Sequence, residues 1–165
     1  MKQPMFREMR RNRQLLPEEE SIAILENGTS GVLALSGDSG YPYAVPMSYV
    51  YNDRKLYFHS ALNGHKIDAI RRNGLASFCV IAQDVVMPAE FTTRFRSVIA
   101  FGRIRIIDEP VEKRRTAELL AAKYDPDNLG NLDREMEKGF DRMCMIELEI
   151  EHLTGKEAIE LARKK

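Results

Sequence analysis

The chain has 165 residues, 44% hydrophobic and 30% charged, a globular composition that excludes disordered and membrane-spanning classes. Lysine plus arginine and aspartate plus glutamate both number 25, so no net field draws in nucleic acid or an anionic membrane. This length can bury a core without disulfides or metals as staples, and one domain over 1–165 is expected, with an N-terminal arm at 1–15 and a charged tail at 155–165.

Met5 to Gln14 is basic and polar, an arm or short helix whose arginines Arg7, Arg10, Arg11 and Arg13 are expected against a dimer partner rather than RNA. Pro17 followed by Glu18, Glu19 and Glu20 predicts a helix start, because proline fits the first turn and carboxylates suit the dipole. Ile22 and Leu25 supply its apolar face, and Asn27-Gly28 stops it. Strands are expected at Gly31–Ser36, Tyr43–Tyr51 and Lys55–Ser60, joined by Gly37-Asp38-Ser39-Gly40 and Asn52-Asp53-Arg54 at hairpin spacing. Pro46 inside the second strand fits a sheet edge or a bulge.

Asn63-Gly64 breaks the chain, and His65 to Asn73 reads as a short helix with Ile67 and Ile70 inward. Asn73-Gly74 is expected to close that helix through a left-handed glycine. Leu75–Ala82 is a strand apolar on both faces. After a loop at Pro88–Thr92, Phe95–Ile107 is a long strand in which Gly102 signals a bulge or close backbone approach. Helices are expected at Val111–Tyr124 and Leu132–Phe140, then a last strand at Met143–Leu153 with Met143, Met145 and Glu147 on one face. Met136, Met143 and Met145 read as core filler. The sum is an α+β, mainly β chain: a six-stranded antiparallel barrel with flanking helices.

Cys79 and Cys144 lie far apart in apolar stretches and are expected to be free, buried thiols of a reducing compartment. There is no apolar run of membrane-spanning length and no signal-peptide core, so the cytoplasm is the expected location. His59, His65 and His152 lack the spacing of a metal set, and no nucleophile triad or helix-turn-helix pattern is present.

The chemistry concentrates in Tyr57–Asn73, YFHSALNGHKIDAIRRN. A strand ending in His59-Ser60 leads through a glycine loop to His65 and Lys66 at a helix start. Hydroxyl, imidazole, ammonium and free backbone N–H donors gather there, the donor set that a phosphate requires. The duller reading, Ser60 as a cap and Lys66 as decoration, stays open on these residues alone. Arg71 and Arg72 read as solvated helix residues rather than phosphate donors.

In order, PYAVPMSYVY, LYFHSALNGHKIDAIRRN, ASFCV and FRSVIAFGR resemble the FMN-binding split barrels of the pyridoxamine-phosphate-oxidase-like flavoproteins. The subgroup containing the nitroimidazole reductases is nearest. The opening MRRNRQLLPEEESIAILENGTSGVLAL extends the likeness over nearly the whole chain. The resemblance implies a homodimeric split barrel holding FMN in a groove between subunits. Val45, Pro46, Met47 and Ser48 would meet the isoalloxazine edge, and His59 and Ser60 the flavin and its ribityl phosphate. Lys66 would hold the phosphate. His65 departs from the family's Arg-Lys pair, and an imidazole is a weaker cation at neutral pH. Arg96 and Ser97 match positions that hydrogen-bond flavin in relatives.

The resemblance further implies electrons from NAD(P)H passed to a small acceptor such as a nitroaromatic, with His59 as the catalytic candidate. The family's C-terminal grip on pyridoxamine phosphate has no counterpart in EHLTGKEAIELARKK, which argues against vitamin B6 oxidation. Related barrels bind haem, so a non-catalytic flavin or haem binder is the alternative, with His59 or His152 as axial ligand.

Overall fold

The computed structural model describes residues 5–162; the first four residues of the expected arm and the last three of the expected tail lie outside them. Seven strands, one more than expected, form a single antiparallel sheet. They are β1 (Ser30–Ser36), β2 (Pro42–Ser48), β3 (Val50–Asn52), β4 (Lys55–Ala61), β5 (Leu75–Met87), β6 (Thr92–Ile107) and β7 (Met143–Glu157). Their order across the sheet is β2-β1-β5-β6-β7-β4-β3. Five helices flank the sheet: α1 (Glu18–Asn27), α2 (His65–Arg72), α3 (Pro110–Tyr124), α4 (Leu132–Gly139) and α5 (Ile159–Ala162).

The extra strand comes from a break in the expected strand 43–51. β2 pairs with β1, whereas β3 pairs with β4. One residue, Tyr49, therefore connects the two opposite edges of the sheet. A flat seven-stranded sheet spans far more than one residue can bridge, at about 4.8 Å per strand, so the sheet rolls until its edges meet. Among the described ladders none joins β2 to β3, which leaves the roll split along that seam.

Tyr49 is fully buried, and its hydroxyl donates to the Leu25 carbonyl of α1 at 2.7 Å. Its N–H donates to the Tyr124 hydroxyl at 3.0 Å, and its carbonyl lies 2.9 Å from that same hydroxyl. A side chain thus replaces the missing ladder partner, as a buried backbone requires.

The rolled inner face forms the main core. Cross-strand partners set Val45, Leu33, Phe78, Ala100 and Leu153 in one row from β2 to β7, with Leu56, Phe58, Ile146 and Leu148 closing the far side. α2 seals this core with Ile67 and Ile70, as its spacing predicted. A second cluster lies on the opposite face, where α3 and α4 cover Val50, Tyr57, Ile107 and Met145. Met136 and Met145 are buried there and Met143 packs against them.

That second cluster borders a charged one. Glu147 is 3% exposed and accepts from Arg105 at 2.9 Å and Lys55 at 3.2 Å. Burial alone would push its carboxyl up, but the two cations outweigh burial and hold it below the ordinary 4.5.

Part of the remaining outer face is apolar and partly exposed. Pro46, Val32, Cys79, Ile99 and Thr154 align across five strands, and beside them Ala44, Ala34, Ser77, Phe101 and His152. Neither row carries an acidic or strongly basic side chain. Phe6 stacks on His152 at 4.6 Å and approaches Phe101 at 5.9 Å, so this part of the arm packs on its own chain.

Two further expectations change. Asn73 is extended and Gly74 is not left-handed; α2 ends instead through the Asn73 side chain, which accepts from Leu75 N–H and donates to Ser36 Oγ. The expected tail begins inside the sheet, because Gly155–Glu157 belong to β7 and Ala158 is 1% exposed. Gly102 behaves as read: the register shifts between Phe101 and Gly102, and a Cβ there would lie 1.9 Å from the Glu149 carbonyl oxygen.

Gly102→Ala should therefore destabilise the fold by about 3 kcal/mol, measured by urea denaturation. Glu147 contributes stability that is complete above the ordinary carboxylate pKa and is lost as pH falls through its depressed folded value. Wild type should lose melting temperature steeply between about pH 5 and pH 3, and Glu147→Gln, less stable at pH 7, should show a shallower acid limb.

Candidate functional site

The expected phosphate site rests on α2. Gly64 precedes the helix at φ +125°, a conformation that side chains disfavour, and no side chain caps the helix start. The first N–H groups of α2 thus lack intrahelical acceptors and face the same end as Lys66. Lys66 is half-buried, and burial lowers its ammonium pKa. Its Nζ donates to the Met47 sulfur at 3.2 Å, a weak acceptor, and among the described residues it forms no ion pair with a carboxylate. It also lies near Cys144, whose thiol burial pushes up. Cys144 is the cross-strand partner of Ser60, so Met47, Ser60 and Lys66 gather around one point where β2, β4 and α2 converge.

Strand alternation divides the other expected residues. Val45 and Met47 face the core and Pro46 and Ser48 face outward. β2 is an edge strand, which is why Pro46 is tolerated. His59 and Ser60 are adjacent in sequence and so point to opposite faces. Ser60 sits on the Lys66 side, whereas His59 is exposed on the outer side opposite Met145. Within the chain the pair does not converge on Lys66.

His65 is engaged elsewhere: its ring stacks on Tyr43 at 4.0 Å, and its Nε2 lies 3.6 Å from Asp38. Asp38 also pairs with Arg72 at 2.9 Å, which ties α2 to the β1–β2 turn. Asp38 and Tyr43 were missed in sequence; the two-residue period placing Tyr43 with Val45 and Met47 was the available signal.

Arg96 and Ser97 lie in another part of the fold. The Arg96 guanidinium pairs with buried Glu157 at 3.0 Å, and Ser97 stands between Ile81 and Lys156. Arg96 lines a cavity of about 440 Å³ with Glu20, Asn27, Ser30, Val80 and Ile81. None of Met47, Ser60, His65 or Lys66 reaches that cavity. Among the described residues no cluster of three or more His, Cys, Asp or Glu is placed to hold a metal ion, and no helix is long and apolar enough to cross a membrane.

Residues 17–157 match the model of a family described as pyridoxamine 5'-phosphate oxidase. The chain belongs to the pyridoxamine 5'-phosphate oxidase family. No protein of curated function matches it, but solved structures of similar fold do. A candidate 5-nitroimidazole antibiotic resistance protein from Bacteroides thetaiotaomicron shares 21% identity over 86% of this chain and 85% of that one, with a TM-score of 0.74. An FAD and heme binding protein from Mycobacterium smegmatis shares 22% over 88% and 73%, at 0.76. An FAD-binding protein from Mesorhizobium loti shares 25% over 88% and 97%, at 0.61. The family match spans all seven strands and Lys66, and omits the N-terminal segment and α5.

A half-buried ammonium without a carboxylate is a cost to the empty fold. Lys66→Met keeps the length of the side chain and removes the charge, so it should raise the apo melting temperature by about 1 to 4 °C, read by calorimetry.

Proposed function

We propose that this family member binds FMN in a homodimer and transfers electrons from NAD(P)H to a small acceptor such as a nitroaromatic. The observation that carries the reading is Lys66: a half-buried cation at an uncapped helix start, with a thioether where a counter-ion belongs. A phosphoryl group supplies what is absent, since it brings negative charge and accepts from Nζ, the α2 N–H groups and Ser60 together. Proteins of similar fold described as FAD-binding or FAD- and haem-binding favour a flavin over other phosphates, and FMN places its phosphate at the end of a short ribityl chain.

In this reading β2 lies along the ring, with Pro46 and Ser48 on its open side and Val45 and Met47 anchored in the core. The flavin, when bound, supplies the hydride and electron chemistry; the chain supplies position, charge and exclusion of water. His59 is held on the outer face, where it can meet a substrate or give it a proton.

The partly exposed apolar rows on that outer face fit a second copy of the chain, because contiguous apolar surface of this kind marks an interface. Val32, Ile81, Ile99 and Phe101 are each at least 39% exposed. Packing there would offer Arg96 and Ser97 of one subunit a route to the flavin of the other.

The purified protein should be yellow or bind added FMN, with mass spectrometry of the released cofactor separating FMN from FAD. Lys66→Met should weaken FMN binding by about 10- to 100-fold, and Ile99→Glu should yield monomers that bind it poorly. NADPH should bleach the bound flavin and a nitroaromatic should restore its colour. Protein that remains colourless on gel filtration after FMN addition overturns the reading. A flavin that binds but does not bleach leaves a carrier. The haem alternative has support from the FAD- and haem-binding neighbour; it requires a Soret band on haem addition that His59→Ala removes.

A further inference from the structure

The two ends of the described chain meet beside β7. Asn12–Gln14 form one 3-10 turn that packs against α5. Leu15 bridges to Lys156, and Leu16 N–H donates to the Gly155 carbonyl at 3.0 Å. Ala158 N–H donates to the Phe95 carbonyl at 2.9 Å, which fixes the start of α5. Between the turn and α5 lies a cavity of about 280 Å³ lined by Arg11, Asn12, Arg13, Gln14 and Ile159. All five residues fall outside the span 17–157 that matches the family model.

Gln14 is the informative member. Its side chain is 4% exposed, yet among the described residues its Oε1 has no hydrogen-bond donor. An unsatisfied buried acceptor costs about 1–3 kcal/mol and calls for a water, ion or ligand. The terminal amide torsion is broad and soft, so Oε1 can turn to a donor brought into the cavity at small cost. Arg11 and Arg13 line the same space, are exposed, and form no ion pair among the described residues. Two guanidinium groups favour an anion. An anion made only of acceptors would leave Oε1 unpartnered, whereas one that also carries a hydroxyl satisfies both demands.

We propose that this cavity binds a small hydroxylated organic anion. Its acidic groups pair with Arg11 and Arg13, and its hydroxyl donates to Gln14 Oε1. Ile159 supplies the apolar floor. The volume suits a body of a few carbons and lies at the small end of ligand pockets. Binding would fasten the N-terminal turn to α5. The site is separate from Lys66 and does not depend on flavin.

L-malate and succinate probe it directly, because they share skeleton and charge and differ by one hydroxyl. Calorimetric titration of the full-length protein should show malate binding about fivefold tighter than succinate, the equivalent of one hydrogen bond. This comparison needs no variant. In Gln14→Leu, checked for an unchanged melting profile, malate should fall to the succinate level. The double variant Arg11→Gln/Arg13→Gln should weaken both by at least about tenfold. Lys66→Met should leave both unchanged. Equal binding of the two acids overturns the role of Gln14. Binding that vanishes in Lys66→Met but survives the arginine changes assigns the anion to α2 and overturns the site, as does no binding of either acid.

Discussion

One residue joins the two edges of this sheet. β2 and β3 follow one another in sequence with only Tyr49 between them, yet they occupy opposite ends of the strand order. No flat arrangement allows this, so curvature is imposed by connectivity and not merely by twist. The rest of the inner architecture follows. With the edges drawn together, Val45 and Met47 of β2 share a core with Phe58 of β4 and Ile146 of β7. The helix after β4 can then lay its first turn against β2, where Lys66 meets Met47. The Tyr124 hydroxyl and the Leu25 carbonyl hold the joint, and Lys123 reinforces it over the Tyr49 ring at 4.2 Å. α1 and α3 therefore act at a distance on the candidate site by fixing the seam beside it.

The site itself opposes the economy of the core. The buried carboxylates are matched by cations: Glu147 has Arg105 and Lys55, and Glu157 has Arg96. Lys66 has a sulfur atom. Burial without a counter-ion disfavours the charged form, so the fold holds there a group whose partner must arrive from outside. The neighbouring side chains of α2 are committed differently: His65 and Arg72 face Asp38, whereas Lys66 faces β2.

Much of this was legible in the sequence because it is local. Turn residues set the hairpins, the spacing of Ile67 and Ile70 set the inner face of α2, and Gly102 announced a close approach realised against Glu149. Four motifs in order pointed to the family. What escaped depends on long-range geometry. Nothing in YVY signals that Tyr49 changes the partner strand, since the apolar run is continuous and only tertiary pairing divides it. Gly74 looked like a helix cap, but the Asn73 side chain does that work. His59-Ser60 was read as one functional unit although alternation alone separates the two faces. The tail appeared solvated because its charges are obvious, while Gly155 and Ala158 are small residues filling tight places.

The bulge at Gly102 has a consequence for how this chain can vary. On β7, even-numbered residues from Ile146 to Ile150 face the core, whereas beyond the bulge the odd-numbered Leu153 and Gly155 do so. The surplus residue at that step acts as a phase shifter between two halves of one strand. Removing Glu151 would take out the bulge and restore plain two-residue alternation from Ile150 to Leu153, leaving His152, Thr154 and Lys156 outward. A single insertion or deletion is absorbed at this step, whereas one placed elsewhere in the strand, with no bulge to take it up, would exchange inside for outside.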